Sequence, residues 1–188
     1  ISFAFAMNYK TNKAELTMTV GANATAGSKV IIAITPTGKT TQLTVDVKAK
    51  AVPVAVSAIK DLVVNYTDGA TVNMTADNIV VIDQYGREMT LNAAFFDDYK
   101  IIVTPESQTT AKVNVTGTEI AATTHEIEFA GTSSAGGRTI SLEVYDLNDS
   151  KVIANSKFDF VVSTVAKSSI SEYVVEVPEL LYDDGTAD

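Results

Sequence analysis

Apolar and polar residues alternate with period two in segment after segment of this chain. Leu16, Met18 and Val20 alternate with Glu15, Thr17 and Thr19, and Leu43, Val45 and Val47 alternate with Thr44, Asp46 and Lys48. The pattern recurs at Val113 and Val115, at Ile127 and Phe129, at Ile140, Leu142 and Val144, and at Phe158, Phe160 and Val162. Successive side chains of a strand point to opposite faces, so each segment predicts a strand with one apolar side. The continuous run Val30-Ile31-Ile32-Ala33-Ile34 has the length of a buried strand and falls well short of the ~18 apolar residues that cross a bilayer. Turn formers separate the strands: Thr37-Gly38-Lys39, Thr67-Asp68-Gly69, Gln84-Tyr85-Gly86, the stretch 131–137, and Asn148-Asp149-Ser150. Short strands at this spacing, without helical patterns between them, predict an all-β fold of antiparallel sheets packed as a sandwich or closed as a barrel. Only residues 91–99, where Phe95 and Phe96 precede Asp97 and Asp98, suggest a short helical turn.

The strand pattern also repeats as a unit. Thr25-Ala26-Gly27-Ser28-Lys29-Val30-Ile31 matches Ser134-Ala135-Gly136-Gly137-Arg138-Thr139-Ile140 in composition and apolar phase, and each follows an alternating strand that ends near a glycine, Gly21 or Gly131. Farther on, Val63-Val64 matches Val174-Val175, and Tyr66-Thr67-Asp68-Gly69 matches Tyr182-Asp183-Asp184-Gly185. The offset stays near ~110 residues, the size of one immunoglobulin-like sandwich. The register of the copies places residues 1–53 as the C-terminal part of one repeat, 54–165 as a complete repeat, and 166–188 as the opening strand of a third. Pro53 then falls in an extended linker. Half a sandwich cannot bury its face alone, so residues 1–53 must pair with other sequence, dock on the complete repeat or form a small sheet of their own.

Composition narrows the function. A hydrophobic fraction of 46% with only 20% charged residues builds a core and argues against disorder throughout. The net charge of −9 disfavours nucleic acid, because neutralising phosphates needs clustered cations and the fourteen Lys and Arg are scattered. Such a surface favours cations, or simply keeps the chain soluble. With no cysteine, disulfides, zinc–thiolate sites and cysteine nucleophiles are removed together. Residues 1–7 have neither a basic head nor a cleavage site, and the chain starts without methionine, which reads as a piece of a longer protein.

His125 is the only histidine, and by phase it shares a face with Ile127. It reads as a partly buried structural residue and not as the base of a triad. Paired carboxylates at Asp97-Asp98 and Asp183-Asp184 lack the aromatic cleft of a glycosidase, since tryptophan is absent. No acid, base and nucleophile converge, so the chain is not expected to be an enzyme. Calcium is the better chemical reading of the acidic turns: Asp183, Asp184 and Asp68 are candidate ligands in glycine-containing turns, and Asp146 and Asp149 flank a hairpin. Asp-Gly also makes ordinary β-turns, and none of these loops fits the twelve-residue helical-hand pattern. Asn-x-Ser/Thr triplets at Asn23, Asn65, Asn73, Asn114 and Asn148 read as fortuitous in a chain so rich in Asn and Thr.

One segment is more specific. Ile79-Val80-Val81-Ile82-Asp83-Gln84-Tyr85-Gly86 resembles the V-x-D-Q-Y-G segment of bacterial immunoglobulin-like domains in Gram-positive surface-layer (S-layer) proteins, and the 182–185 stretch is similar to their first-strand region. The resemblance implies tandem immunoglobulin-like β-sandwich domains in a secreted, structural cell-surface protein. Its partners would be other copies of itself in a two-dimensional lattice, with calcium assisting assembly. The S-layer homology motifs that anchor such proteins to the wall are not found, so wall association would depend on regions elsewhere. The alternative is an immunoglobulin-like stalk or adhesin, or an accessory binding domain of a cell-wall-associated protein.

Overall fold

The computed structural model describes residues 2–11, 13–21, 24–34 and 37–169. Asp183, Asp184, the Val174-Val175 pair, the second Tyr-x-Asp-Gly stretch and Asn23 lie outside the described residues. The chain divides into two compact units, Ile1–Ala51 and Val52–Asp188.

The first unit consists of two antiparallel hairpins. β1 (Ser2–Asn8) pairs with β2 (Lys13–Thr19), from Ser2 opposite Thr19 to Asn8 opposite Lys13. The Asn8 side chain starts the turn, its Oδ1 accepting from the backbone N–H groups of Lys10 at 3.1 Å and Thr11 at 3.2 Å. β3 (Gly27–Ile34) pairs with β4 (Thr40–Val47), from Gly27 opposite Val47 to Ile34 opposite Thr40. Both alternating strands form, yet their apolar faces are not closed. Among the described residues of this unit Val47 alone is buried, while Phe3, Leu16, Val20 and Leu43 are exposed. The expectation of a buried strand at Val30–Ile34 is corrected: Val30, Ile32 and Ile34 are 56%, 59% and 68% exposed. They share one face of β3, opposite the short polar chains of Thr44, Gln42 and Thr40.

The second unit contains β5 (Pro53–Ile59), β6 (Asn65–Thr67), β7 (Thr71–Thr75), β8 (Ile79–Asp83), β9 (Glu88–Met89), β10 (Tyr99–Pro105), β11 (Val113–Thr116), β12 (Glu119–Ile120), β13 (Glu126–Gly131), β14 (Gly136–Asp146), β15 (Lys151–Val152) and β16 (Phe158–Val165). The predicted helical turn is α1 (Ala93–Phe96). Three sheets result: a large one ordered β12-β10-β14-β16-β6 with β15 beside β14, and two of three strands, β11-β13-β7 and β5-β8-β9. Pairing is antiparallel except between β16 and β6, which run parallel through Ser163–Asn65 to Val165–Thr67. Elsewhere the sheets are antiparallel, as the sequence predicts. Pro53 opens β5 opposite Asp83, and is buried, so it is not a linker residue. The first position of a strand tolerates a residue with no N–H to donate.

One apolar core receives side chains from all three sheets: Val56 and Val81 from the β5–β8 pair, Met74 and Phe129 from the β7–β13 pair, and Ile101, Ile140, Leu142 and Val144 from the large sheet. Burying each such side chain is worth roughly 1.5–3 kcal/mol. Ser156 ties two sheets together, its hydroxyl accepting from Val144 N at 3.0 Å and its carbonyl from Val56 N at 3.1 Å.

β13 ends against the turn that follows β6. Gly131 N donates to Ala70 O at 2.9 Å, and a Cβ at Gly131 would lie 2.3 Å from Thr67 O. Gly131→Ala therefore forces backbone apart, and a loss of about 2 kcal/mol is expected in urea denaturation; an unchanged midpoint would contradict this close approach. Tyr66, stacked on Phe129 at 6.4 Å, donates its hydroxyl to Val63 O at 2.7 Å. Burial pushes that hydroxyl up from 10.0 to about 12. The folded form holds the proton more tightly, so this contribution is intact below pH 10 and is lost as pH rises toward about 12. Tyr66→Phe should remove that part of the alkaline loss, read from melting temperatures across this range.

Candidate functional site

Three segments distant in sequence enclose a cleft of about 380 Å³ in the second unit. The first is the end of β7 with the 3-10 turn Ala76–Asn78, where Asn78 locks the turn: its Oδ1 accepts from Thr75 N at 2.9 Å and its Nδ2 donates to the carbonyls of Lys60 and Asp61 at 3.2 Å each. The second is α1, started by Asn92, whose Oδ1 accepts from Phe95 N at 3.2 Å. Phe95 and Phe96 anchor α1 in the core, edge to face at 5.3 Å. The third is the link between β12 and β13, tightened by Ala121 N donating to Thr124 O at 2.8 Å. Leu91, Ala93, Phe96, Ile120 and Ala122 line the cleft with apolar surface, and Asp77, Asp97 and His125 bring ionisable groups to it.

His125 is exposed and precedes β13, which starts at Glu126, so the reading of a partly buried strand residue is corrected. The alternation that buries Ile127 and Phe129 stops at the start of β13, one residue after His125. Thr75 is the hydroxyl that shares the cleft with His125, and its Oγ1 contacts Asn78 Oδ1 at 3.4 Å. Asp97 and Asp98 separate: Asp97 lines the cleft, while Asp98 Oδ1 accepts from Asn148 Nδ2 at 3.3 Å.

Among the candidate calcium ligands, Asp68 follows β6 in a turn with Gly69 at φ 77°, and lines a smaller cleft with Thr132, Thr164 and Lys167. Asp146 accepts from the N–H groups of Asn148 at 2.8 Å and Asp149 at 3.1 Å, and Asp149 pairs with Lys151 at 2.8 Å. Among the described residues no three His, Asp or Glu gather as a metal site. No helix among them is long and apolar enough to cross a membrane.

The Asp-Gln-Tyr-Gly segment forms the turn from β8 to β9. Asp83 is 3% exposed and its carboxylate is saturated: Oδ1 accepts from Tyr85 N at 2.8 Å and Arg87 N at 2.9 Å, and Oδ2 from Arg87 Nε at 3.0 Å and Nη2 at 2.8 Å. The Arg87 guanidinium lies 5.1 Å from the centre of the Tyr85 ring, and Gly86 closes the turn at φ 75°. Gln84 fastens it to the start of β5, its Oε1 accepting from Val52 N at 2.7 Å. The segment is thus a self-satisfied structural clamp.

No known family matches the chain, and no curated protein matches it.

Burial pushes the Asp83 carboxyl up, and the N–H groups of Arg87 and Tyr85 with the Arg87 guanidinium outweigh it, holding it below the ordinary 3.8. Asp83 therefore stabilises the fold above pH 3.8, and the contribution is lost as pH falls through the depressed value. Asp83→Asn should melt several degrees lower at pH 7, with the difference from the parent shrinking below pH 4. A constant difference across that range would show that the charge is not what the turn uses.

Proposed function

We propose that the chain is a stretch of a tandem array of immunoglobulin-like sandwiches with a structural, non-catalytic role, whose copies assemble side by side at a cell surface as in an S-layer. In this reading residues 54–165, from β5 to the end of β16, are one complete repeat, 1–53 the closing part of another, and 166–188 the opening of a third. Support comes from two antiparallel strand pairs that begin alike. β3 and β14 each begin on a glycine at nearly the same positive φ, 132° at Gly27 and 135° at Gly136, and each pairs antiparallel with the last strand of its unit in chain order, β4 or β16. Aligned on those glycines, Ile31 falls on Ile140, an inward position.

The observation that carries the assembly is the other face. Where β14 has Thr139, Ser141 and Glu143, β3 has Val30, Ile32 and Ile34, all more than half exposed. The β-branched row beside Thr40, Gln42 and Thr44 carries no charge, and the one carboxylate on that face, Asp46, stands at its end and accepts from the Ser28 hydroxyl, so two copies with a net charge of −9 each can meet over the row with a single carboxylate at its margin. Burying the remaining surface of each aliphatic chain is worth about 1 kcal/mol, which suits weak contacts multiplied across a lattice. Calcium is proposed to assist, with Asp68 and, outside the described residues, Asp183 and Asp184 as its ligands.

Sedimentation velocity at rising concentration, joined to electron microscopy of the assemblies, tests this. The triple variant V30T/I32S/I34E installs the residues of β14 and should weaken association at least tenfold; association that ignores the variant, or a chain monomeric under every condition, contradicts the reading. Millimolar calcium should raise the melting temperature and chelator reverse it, and the absence of a shift removes calcium from the proposal.

A further inference from the structure

We propose that the cleft beside α1 binds a lysine side chain presented by a partner polypeptide, that is, a primary ammonium on an aliphatic stem. The proposal does not depend on the lattice reading. Leu91, Phe96 and Ile120 give the cleft an apolar floor held in place by the core, since Phe96 and Ile120 are themselves buried. Asp77 and Asp97 stand exposed at its sides, one from the 3-10 turn after β7 and the other from the end of α1. Neither lysine nor arginine lines it. Lys60, the cation that feels the Asp77 charge, is engaged elsewhere, with its Nζ 2.9 Å from Glu88 Oε1.

Two exposed carboxylates by themselves attract any solvated cation; above a hydrocarbon floor they select one that carries a hydrocarbon stem. An anionic ligand would meet both carboxylates, and a purely apolar one would desolvate them without pairing them. A hard metal ion wants six to eight oxygens, and the floor offers hydrocarbon. A lysine side chain matches both halves, laying its methylenes on the floor while its ammonium stays at the acidic rim. The volume of about 380 Å³ leaves room for the stem and for part of the backbone that presents it.

His125 lines the same cleft and is the only histidine, so its imidazole gives one isolated proton resonance at the site. At pH 8, pentylamine titrated into the full chain should shift that resonance saturably, with half-saturation in the millimolar range (~1–10 mM) expected for so small a ligand. Hexanoate, with the same five-carbon stem and the opposite charge, should not. A blocked Ala-Lys-Ala tripeptide should bind like pentylamine and its norleucine counterpart should not, which separates a polypeptide lysine from a free amine. The D77N/D97N variant should lose at least fivefold in affinity for pentylamine. Absence of a saturable shift, equal responses to pentylamine and hexanoate, or pentylamine binding without tripeptide binding would overturn the proposal; the first two comparisons use the unaltered chain and do not depend on how the variant folds.

Discussion

A strand in the interior of a sheet must find hydrogen-bond partners for the backbone groups on both of its edges, and the eleven-residue β14 meets that demand. β10 takes one edge from Tyr99 opposite Asp146 to Pro105 opposite Ile140, and β16 and β15 share the other. Its inward side chains Ile140, Leu142 and Val144 are fully buried. Everything else in the second unit is arranged around that strand. Ser156 joins it to β5, Arg138 reaches from its start to the carbonyls of Glu106 and Val113 at 2.9 and 2.7 Å, and the aromatic chain Tyr66–Phe129–Phe160 fills the space beside it.

The first unit has the same kind of strand without the same solution. β3 has β4 on one edge, and among the described residues no second strand pairs with it. Its glycine start and alternating register are those of β14, but Val30, Ile32 and Ile34 on one of its faces remain more than half in water. A two-stranded hairpin of this kind is marginal alone. The burial of an apolar face that β14 achieves within its own unit is, in the proposed array, supplied for the Val30, Ile32 and Ile34 face of β3 by association.

Period two was readable wherever a single face is buried. Ile127 and Phe129, and Ile140, Leu142 and Val144, are strand residues with fully buried side chains, because alternation in an antiparallel strand is a direct image of its two environments. Alternation at Leu16 and Leu43 predicts the strands equally well but not their exposure, since a pattern records what a face is suited to bury and not whether a partner is there. The parallel pairing of β6 was not legible: Asn65-Tyr66-Thr67 is too short to carry a direction, and its partner lies about a hundred residues away. The cleft beside α1 was hidden for the same reason, being assembled from the 75–77, 91–97 and 120–125 segments. The Asp83 turn was visible as a motif, and its chemistry was not; only the geometry reveals that four donors consume the carboxylate.

The division of labour between a self-sufficient core and an unfinished pair of hairpins is the central claim, and amide hydrogen exchange measures it strand by strand. In the dilute monomeric chain, β13, β14 and β16 should exchange only through global unfolding, while β1–β4 exchange orders of magnitude faster; on assembly, β3 and β4 should slow and β14 should not change. Protection of β3 equal to that of β14 in the dilute monomer would contradict the account.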